Sequence, residues 1–184
     1  LMFFHYDCEV NGETRLAVRK GQAGFFTDAE LADSEGCLWS PETQEIVSNP
    51  RLDAPFVECT KSSFTEAEVQ AFADGRPWEC FGPGFEWAKT HTRTPTIAGG
   101  KMLFLSDINN YETQGGPWGR GYLKTTVDID PDHWFFKGHF KNDSCMPGTL
   151  MWEGCLQAMS FYLTGLGYTM ERDGWRFEPV EGIP

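Results

Sequence analysis

Four residues in the last third of the chain have the types and the spacing of an acid–base site. His139 lies shortly before an apolar segment that begins at Pro147 and Gly148. Glu153 and Gln157 follow within that segment, four residues apart, so a helix would place them on one face. A neutral imidazole is a matched general base near neutral pH. A carboxyl group among apolar side chains tends to keep its proton and can act as an acid.

A helix that begins at Pro147 and Gly148 would add a third chemical group. The first backbone N–H groups of a helix have no carbonyl partner within the helix, and the helix dipole makes this end positive. A carbonyl oxygen placed there would be polarised. The sequence therefore offers a base at His139, an acid at Glu153 and an oxyanion donor at Gly148.

Each of these residues also has a purely structural interpretation. A histidine beside a phenylalanine, as at His139, is more often a packed loop residue than a catalyst. Glu153 with Gln157 can equally be a pair at the rim of the core or a solvated strip. Burying either polar group without a partner would cost roughly 1–3 kcal/mol, so their place on an apolar helix requires a reason.

Metal binding and nucleophilic catalysis find less support. Two groups of possible metal ligands occur, Asp132 with His133 and Asp143, and His5 with Cys8. Neither has an established metal-ligand spacing, so we predict no metal site. Cys145 could be a nucleophile, but the sequence indicates no base partner, and we predict that it packs in its loop.

Composition excludes several classes of protein. The 184 residues carry a formal net charge of −12, which argues against nucleic-acid binding and against an anionic membrane as partner. No run approaches the ~20 apolar residues of a membrane-spanning helix. The first ten residues lack the pattern of a signal peptide. Six cysteines are widely spread without a CxxC pair, which predicts a reduced, cytoplasmic protein.

The elements before the candidate site are predicted from turn and cap signals. Asn11-Gly12 between Leu1–Val10 and Thr14–Val18 predicts a β-hairpin, whose second strand continues or restarts near Phe25 and Phe26. A short helical turn is predicted at 28–32. Three prolines between Ser40 and Cys59 indicate a surface linker.

A helix near 65–74 is predicted by a capping box of Thr65 and Glu68, with Ser63 and Glu66 as a rival register. Gly75 would end this helix. The recurrent prolines and glycines of 76–100 predict irregular chain.

The last third of the sequence predicts the strands and the helix that position the candidate site. Lys101–Asn110 is typical of a helical turn that leads into a strand, and Gly121–Ile129 alternates like a strand. A central helix is predicted near 149–166, ending at Gly165 and Gly167. Apolar residues cover most of its circumference, which predicts a helix buried nearly all round.

A long motif connects this segment with a known family. The stretch DHWFFKGHFKNDSCMPGTLMWEGCLQAMSFYLTGLG, Asp132–Gly167, strongly resembles the 3-hydroxyacyl-acyl carrier protein dehydratases. Met102–Ile129 is similar to the first part of their fold. The nearest resemblance is to tandem dehydratase domains of the polyketide-like synthases of polyunsaturated fatty acids. It implies an α+β hotdog fold, an antiparallel sheet wrapped around a long central helix.

The resemblance also implies roles and a reaction. His139 matches the catalytic histidine, Glu153 its acidic partner, Gln157 the residue that supports the acid, and Gly148 the glycine whose N–H holds the thioester carbonyl. The implied reaction is dehydration of a 3-hydroxyacyl thioester to a trans-2-enoyl thioester. No cofactor is implied beyond the phosphopantetheine arm of an acyl carrier protein, which carries the substrate.

Two departures from the family pattern stand out. Ser144 occupies a position where many relatives have proline, which removes no catalytic group. Relatives that also isomerise the double bond tend to have aspartate where this chain has Glu153, so the resemblance leaves open whether this chain isomerises its product.

The domain organisation that we predict is a fragment of two tandem hotdogs. Residues 1–40 would be the last strands of one hotdog, 41–100 a linker, and 101–184 the first part of the next. Only 17 residues follow Gly167, too few for the remaining strands, unless the N-terminal hairpin fills part of the sheet.

This organisation bears on activity. In the family, the histidine and the acid of one site come from two hotdog units, so the isolated fragment is expected to be inactive without a second unit, in tandem or as a homodimer. An acyl carrier protein is the expected partner, with Lys137 and Lys141 as docking candidates beside His139. The alternatives are a hotdog thioesterase, in which the helical acid activates water, and a non-catalytic structural hotdog.

Overall fold

The computed structural model describes residues 1–34, 54–117, 119–171 and 173–174. The chain divides into two compact units, Leu1–Glu45 and Ile46–Pro184. Most of the linker predicted from Ser40 to Cys59 lies outside the described residues. No helix in the described ranges is both long enough and apolar enough to cross a membrane.

The first unit is built on an antiparallel hairpin. Strand β1 (Met2–Val10) pairs with β2 (Glu13–Ala23). Asn11 and Gly12 have positive φ angles of 54° and 78°, as the predicted two-residue turn requires, so the hairpin is confirmed. The second strand continues to Ala23 and does not restart at the phenylalanines that follow. Helix α1 (Asp28–Ala32) follows β2.

The second unit contains the candidate site. Its helices are α2 (Glu66–Ala73), α3 (Pro77–Phe81) and α4 (Gly148–Gly165), and its strands are β3 (Ile108–Glu112) and β4 (Tyr122–Thr125). Short 3-10 turns occur at Glu86–Thr90, Gly100–Met102 and Trp134–Lys137. The predicted α+β class is confirmed.

Helix α2 begins in the predicted register. The Glu68 carboxylate accepts hydrogen bonds from the backbone N–H and the hydroxyl of Thr65 at 2.8 and 2.9 Å. Lys61 Nζ lies 2.6 Å from the same carboxylate. Burial opposes ionisation here, yet the bonds from Lys61 and Thr65 together hold the pKa of Glu68 below its ordinary value.

The core of the second unit is aromatic. Phe161 of α4 lies 4.8–5.4 Å, ring centre to ring centre, from Phe64, Phe72 and Phe81, and is fully buried. Edge-to-face and tilted ring contacts of this kind stabilise the fold by more than the buried apolar area alone would. The core therefore fixes the C-terminal half of α4.

Residues 54–100 contain the predicted helix α2, and more structure around it than the predicted linker and irregular chain. They contribute α2, α3 and a 3-10 turn, together with the buried side chains Phe64, Val69, Phe72, Cys80, Phe81, Phe85, Ala88 and Ile97. Helix α3 and the 3-10 turn were not predicted, because short helices joined by glycine and proline turns bury one or two aromatic rings each. Such segments are too short to show a hydrophobic period.

The sheet of the second unit is small. Strands β3 and β4 pair antiparallel, and Phe64 adds a bridge to Ile108. β4 is shorter than the strand predicted from Gly121 to Ile129. Within the described ranges of the second unit, β3 and β4 form a two-stranded sheet.

Helix α4 corrects the prediction of burial nearly all round. Its buried residues are Leu150, Gln157, Phe161, Thr164 and Gly165. Met151, Trp152 and Met159 are 59, 66 and 52% exposed. An apolar pattern shows that a surface tends to be covered, but it does not show which part of the chain covers it.

Candidate active site

Gln157 is the buried polar residue at the centre of the site. It is 2% exposed on helix α4. Its amide oxygen accepts a hydrogen bond from the Phe104 N–H at 2.8 Å, and its amide nitrogen donates to the Met102 carbonyl at 2.7 Å. These bonds tie α4 to the segment that leads into β3. They supply the partners that a buried amide requires.

Glu153 is held by the same amide. Gln157 Nε2 donates to Glu153 Oε1 at 2.9 Å, across one helical turn. Glu153 is half-buried. The predicted shared face of the two residues is therefore observed, and the carboxyl group has a fixed neighbour on its helix.

The loop that carries His139 is anchored by an aromatic side chain. The Trp134–Lys137 turn precedes it, and Phe135 is 4% exposed in a cluster with Phe104 and Leu150. The His139 N–H donates to the Phe135 carbonyl at 3.0 Å. The anchor thus connects the loop to α4. Sequence reasoning missed Phe135, whose only signal was its place in an aromatic run.

The imidazole of His139 is oriented by the loop itself. Nδ1 lies 3.1 Å from the Cys145 carbonyl oxygen, and the Phe140 ring stacks on the imidazole at 4.1 Å. A protonated Nδ1 that donates to this carbonyl leaves Nε2 as the basic nitrogen. His139 is half-buried, so its ring is partly open to a ligand.

Cys145 has a partner that the sequence did not indicate. Its Sγ lies 3.4 Å from His139 Nδ1, and its side chain is exposed. The expectation of a thiol packed in the loop is wrong. The turn closes through paired backbone bonds between Phe140 and Asp143, which bring residues six positions apart into contact.

Gly148 is the first residue of α4, after Pro147. Its N–H is one of the groups that lack a carbonyl partner within the helix. A Cβ built on Gly148 would meet no atom within 4 Å, so there is open space beside this part of the backbone.

An apolar groove of about 320 Å³ lies along the first half of α4. Five residues line it from the helix: Leu150, Met151, Gly154, Cys155 and Ala158. Its other walls are apolar apart from one threonine: Phe104, Leu105, Thr125, Val127, Ile129 and Met146. The groove can take an apolar chain.

The structure brings some of the predicted residues together and leaves others apart. Glu153 and Gln157 are hydrogen-bonded, whereas no hydrogen bond joins His139 to Glu153 in the ranges that the structure describes. The backbone groups that bind Gln157 were not predicted. They belong to Met102 and Phe104, which are distant in sequence from α4, and the strand-like stretch after Lys101 was the only signal.

The candidate metal ligands are dispersed. Among the described residues, no three histidine, cysteine or acidic side chains are grouped to hold a metal ion. His133 instead stacks on Phe135 at 4.5 Å.

Comparison with known proteins gives two results. Residues 97–183 match the family described as the FabA-like domain. The whole chain aligns over 193 residues with a polyunsaturated fatty acid synthase polypeptide of Thraustochytrium sp., at 31% identity. The alignment covers all of this chain and 12% of that relative, so the chain spans a small part of the relative's length.

Proposed function

The chain carries a FabA-like domain over residues 97–183, and on that premise we propose that it dehydrates 3-hydroxyacyl thioesters to trans-2-enoyl thioesters. The observation that carries the proposal is the Gln157 amide, which holds the Glu153 carboxyl on α4, the helix that also lines an apolar groove. A buried amide that binds both a carboxyl group and the neighbouring backbone gives an acid a fixed position.

The proposed mechanism uses three groups. His139 Nε2 removes a proton from C2 of the thioester, while the Cys145 carbonyl keeps the proton on Nδ1. The Gly148 N–H stabilises the negative charge on the thioester oxygen. Protonated Glu153 gives its proton to the 3-hydroxyl group, which leaves as water, and the C2–C3 double bond forms.

The groove is the proposed site of the acyl chain. Its walls carry almost no polar surface, and it runs along α4, the helix that carries Glu153. An acyl chain would displace water from these walls, at roughly 0.8 kcal/mol for each buried methylene.

We also propose that a second hotdog unit, in tandem or as a homodimer, completes the site and covers α4. Two observations support this part of the proposal. His139 and Glu153 make no bond with each other in the described structure, and Trp152 on α4 is 66% exposed. A hotdog fold, with further strands over the exposed face of α4, would remove that apolar surface from water.

The similarity to a synthase polypeptide suggests the biological setting. We propose that the chain acts within a polyunsaturated fatty acid synthase, in the cytoplasm, on substrates attached to an acyl carrier protein. Lys137 and Lys141 are exposed on either side of His139 and would receive this acidic partner.

The test is a dehydration assay of the chain joined to a second hotdog unit. A 3-hydroxyacyl thioester is incubated with the protein, and enoyl thioester, free acid and substrate are separated by mass. His139→Ala and Glu153→Gln are compared with His5→Ala and Glu171→Gln, two exposed positions outside the site. The dehydration rate is expected to fall by roughly 10²-fold or more in the first pair and to stay unchanged in the second pair.

Other products would decide against the proposal. Free acid in place of enoyl thioester would establish a thioesterase. A folded assembly without either product would establish a structural hotdog.

A further inference from the structure

Cys145 and His139 form a thiol–imidazole pair. Sγ and Nδ1 are 3.4 Å apart, within the range of a hydrogen bond to sulfur, and the thiol is exposed to solvent. The imidazole stacks on the Phe140 ring, and the backbone N–H of His139 is bonded to the Phe135 carbonyl. A nucleophile in contact with an oriented base is the arrangement that activates a thiol.

We propose that Cys145 is a covalent modification site for α,β-unsaturated carbonyl compounds, with His139 as its base. The thiol proton passes to His139 Nδ1 and Sγ forms a bond to the β-carbon of the electrophile. The carbon–carbon π bond breaks, and the α-carbon takes up a proton from the imidazolium, so no atom is lost and no oxidant is needed.

The two uses of His139 exclude each other. Nδ1 carries one proton or one lone pair, so it either donates to the Cys145 carbonyl or accepts from the Cys145 thiol. The first state presents Nε2 as the base of the proposed dehydration. The second activates the thiol. An adduct on Cys145 would also place a new group against the imidazole.

The enoyl thioester that the proposed dehydration would form is itself an α,β-unsaturated carbonyl compound. Only its identification as a natural electrophile for Cys145 rests on the proposed function. The modification site itself follows from the thiol–imidazole contact. A measurement of adduct mass therefore separates the failure of this inference from the failure of dehydration.

The probe is N-ethylmaleimide at limiting concentration, with the rate of adduct formation at each cysteine read by peptide mass spectrometry. Cys8 and Cys155 are the matched controls, since both are exposed and neither has a described contact with a histidine. We expect Cys145 to react roughly tenfold faster than either control.

Variants assign the effect to the pair. His139→Gln should bring the rate at Cys145 down to that of Cys155, whereas His5→Gln should leave it unchanged. Burial raises the pKa of the Cys80 thiol, so absence of label on Cys80 shows that the variant is folded. Equal rates at Cys145 and Cys155 in the unaltered protein, or no change in His139→Gln, would overturn the inference.

Discussion

The Nδ1 atom of His139 lies 3.1 Å from the carbonyl oxygen of Cys145, six residues further along the chain. When Nδ1 donates to this carbonyl, Nε2 is the imidazole nitrogen that can act as the base of the proposed dehydration. The contact exists because the loop closes between Phe140 and Asp143 before the chain enters α4. The base of the proposed reaction is therefore oriented by backbone, whereas the acid, Glu153, is oriented by a side chain.

The Gln157 amide should be important for stability. Gln157→Leu leaves the Phe104 N–H without a partner in the core, and should lower the free energy of unfolding by about 1–3 kcal/mol. Gln70→Leu is the control. Within the described ranges the Gln70 side chain bonds to Asp74 alone, at the surface of α2, so its loss should lower the free energy of unfolding by about 0.5 kcal/mol or less. Urea denaturation measures both. Equal losses would show that the Gln157 bonds contribute nothing particular.

Phe135 should hold the histidine loop in place. Phe135→Ala removes a ring that is 4% exposed and should cost about 3–5 kcal/mol. Phe140→Ala, in the same loop, removes a ring that is 55% exposed and should change stability far less. The comparison is made by thermal unfolding. A larger effect of Phe140→Ala would contradict the anchor.

Two glycines of α4 should respond in opposite directions to alanine. A Cβ at Gly165 would lie 2.5 Å from Tyr111 Oη and 2.9 Å from Phe81, both buried, so overpacking should cost about 1–3 kcal/mol. A Cβ at Gly154 would lie 3.4 Å from Phe104. That distance is an ordinary van der Waals contact. Gly154→Ala should therefore raise the free energy of unfolding by up to about 1 kcal/mol, through the higher helix propensity of alanine. Denaturation midpoints of the two variants decide the prediction.

Asp173 should make stability depend on acid pH. Hydrogen bonds from the Thr92 hydroxyl, the Thr92 N–H and the Arg93 N–H lower the pKa of Asp173 to about 2, below its ordinary 3.8. A lowered pKa favours the folded state above the ordinary value, and this contribution is lost as the pH falls towards 2.

Asp173→Asn tests this pH dependence. The variant should be less stable than the unaltered protein at pH 6, and the difference should shrink as the pH falls from about 4 to about 2. Unfolding curves at several pH values measure it. A difference that is constant over this range would exclude the Asp173 carboxylate as its source.

Charge reversal beside His139 should discriminate between substrates. Lys137→Glu with Lys141→Glu should slow dehydration of a substrate on an acyl carrier protein by roughly tenfold, because the acidic carrier is then repelled. A small thioester mimic is the control, since it needs no docking surface. Equal slowing of both substrates would assign the lysines to the site itself.

The sequence by itself determined the local features of this protein. The Asn11-Gly12 turn, the capping box of Thr65 and Glu68, and the position of Glu153 and Gln157 on one helical face each depend on residues a few positions apart. Their geometry follows from backbone preferences and helical spacing, so it could be predicted. The long motif around His139 likewise indicated the family.

Tertiary structure alone decided how the site is held together. Gln157 meets Phe104 and Met102 across 53 and 55 residues, and Cys145 faces His139 only because the loop closes. Tertiary structure also decided which face of α4 is exposed and how residues 54–100 build the core. A hydrophobic pattern records that a side chain favours burial, but which neighbours surround it depends on the packing of the whole unit.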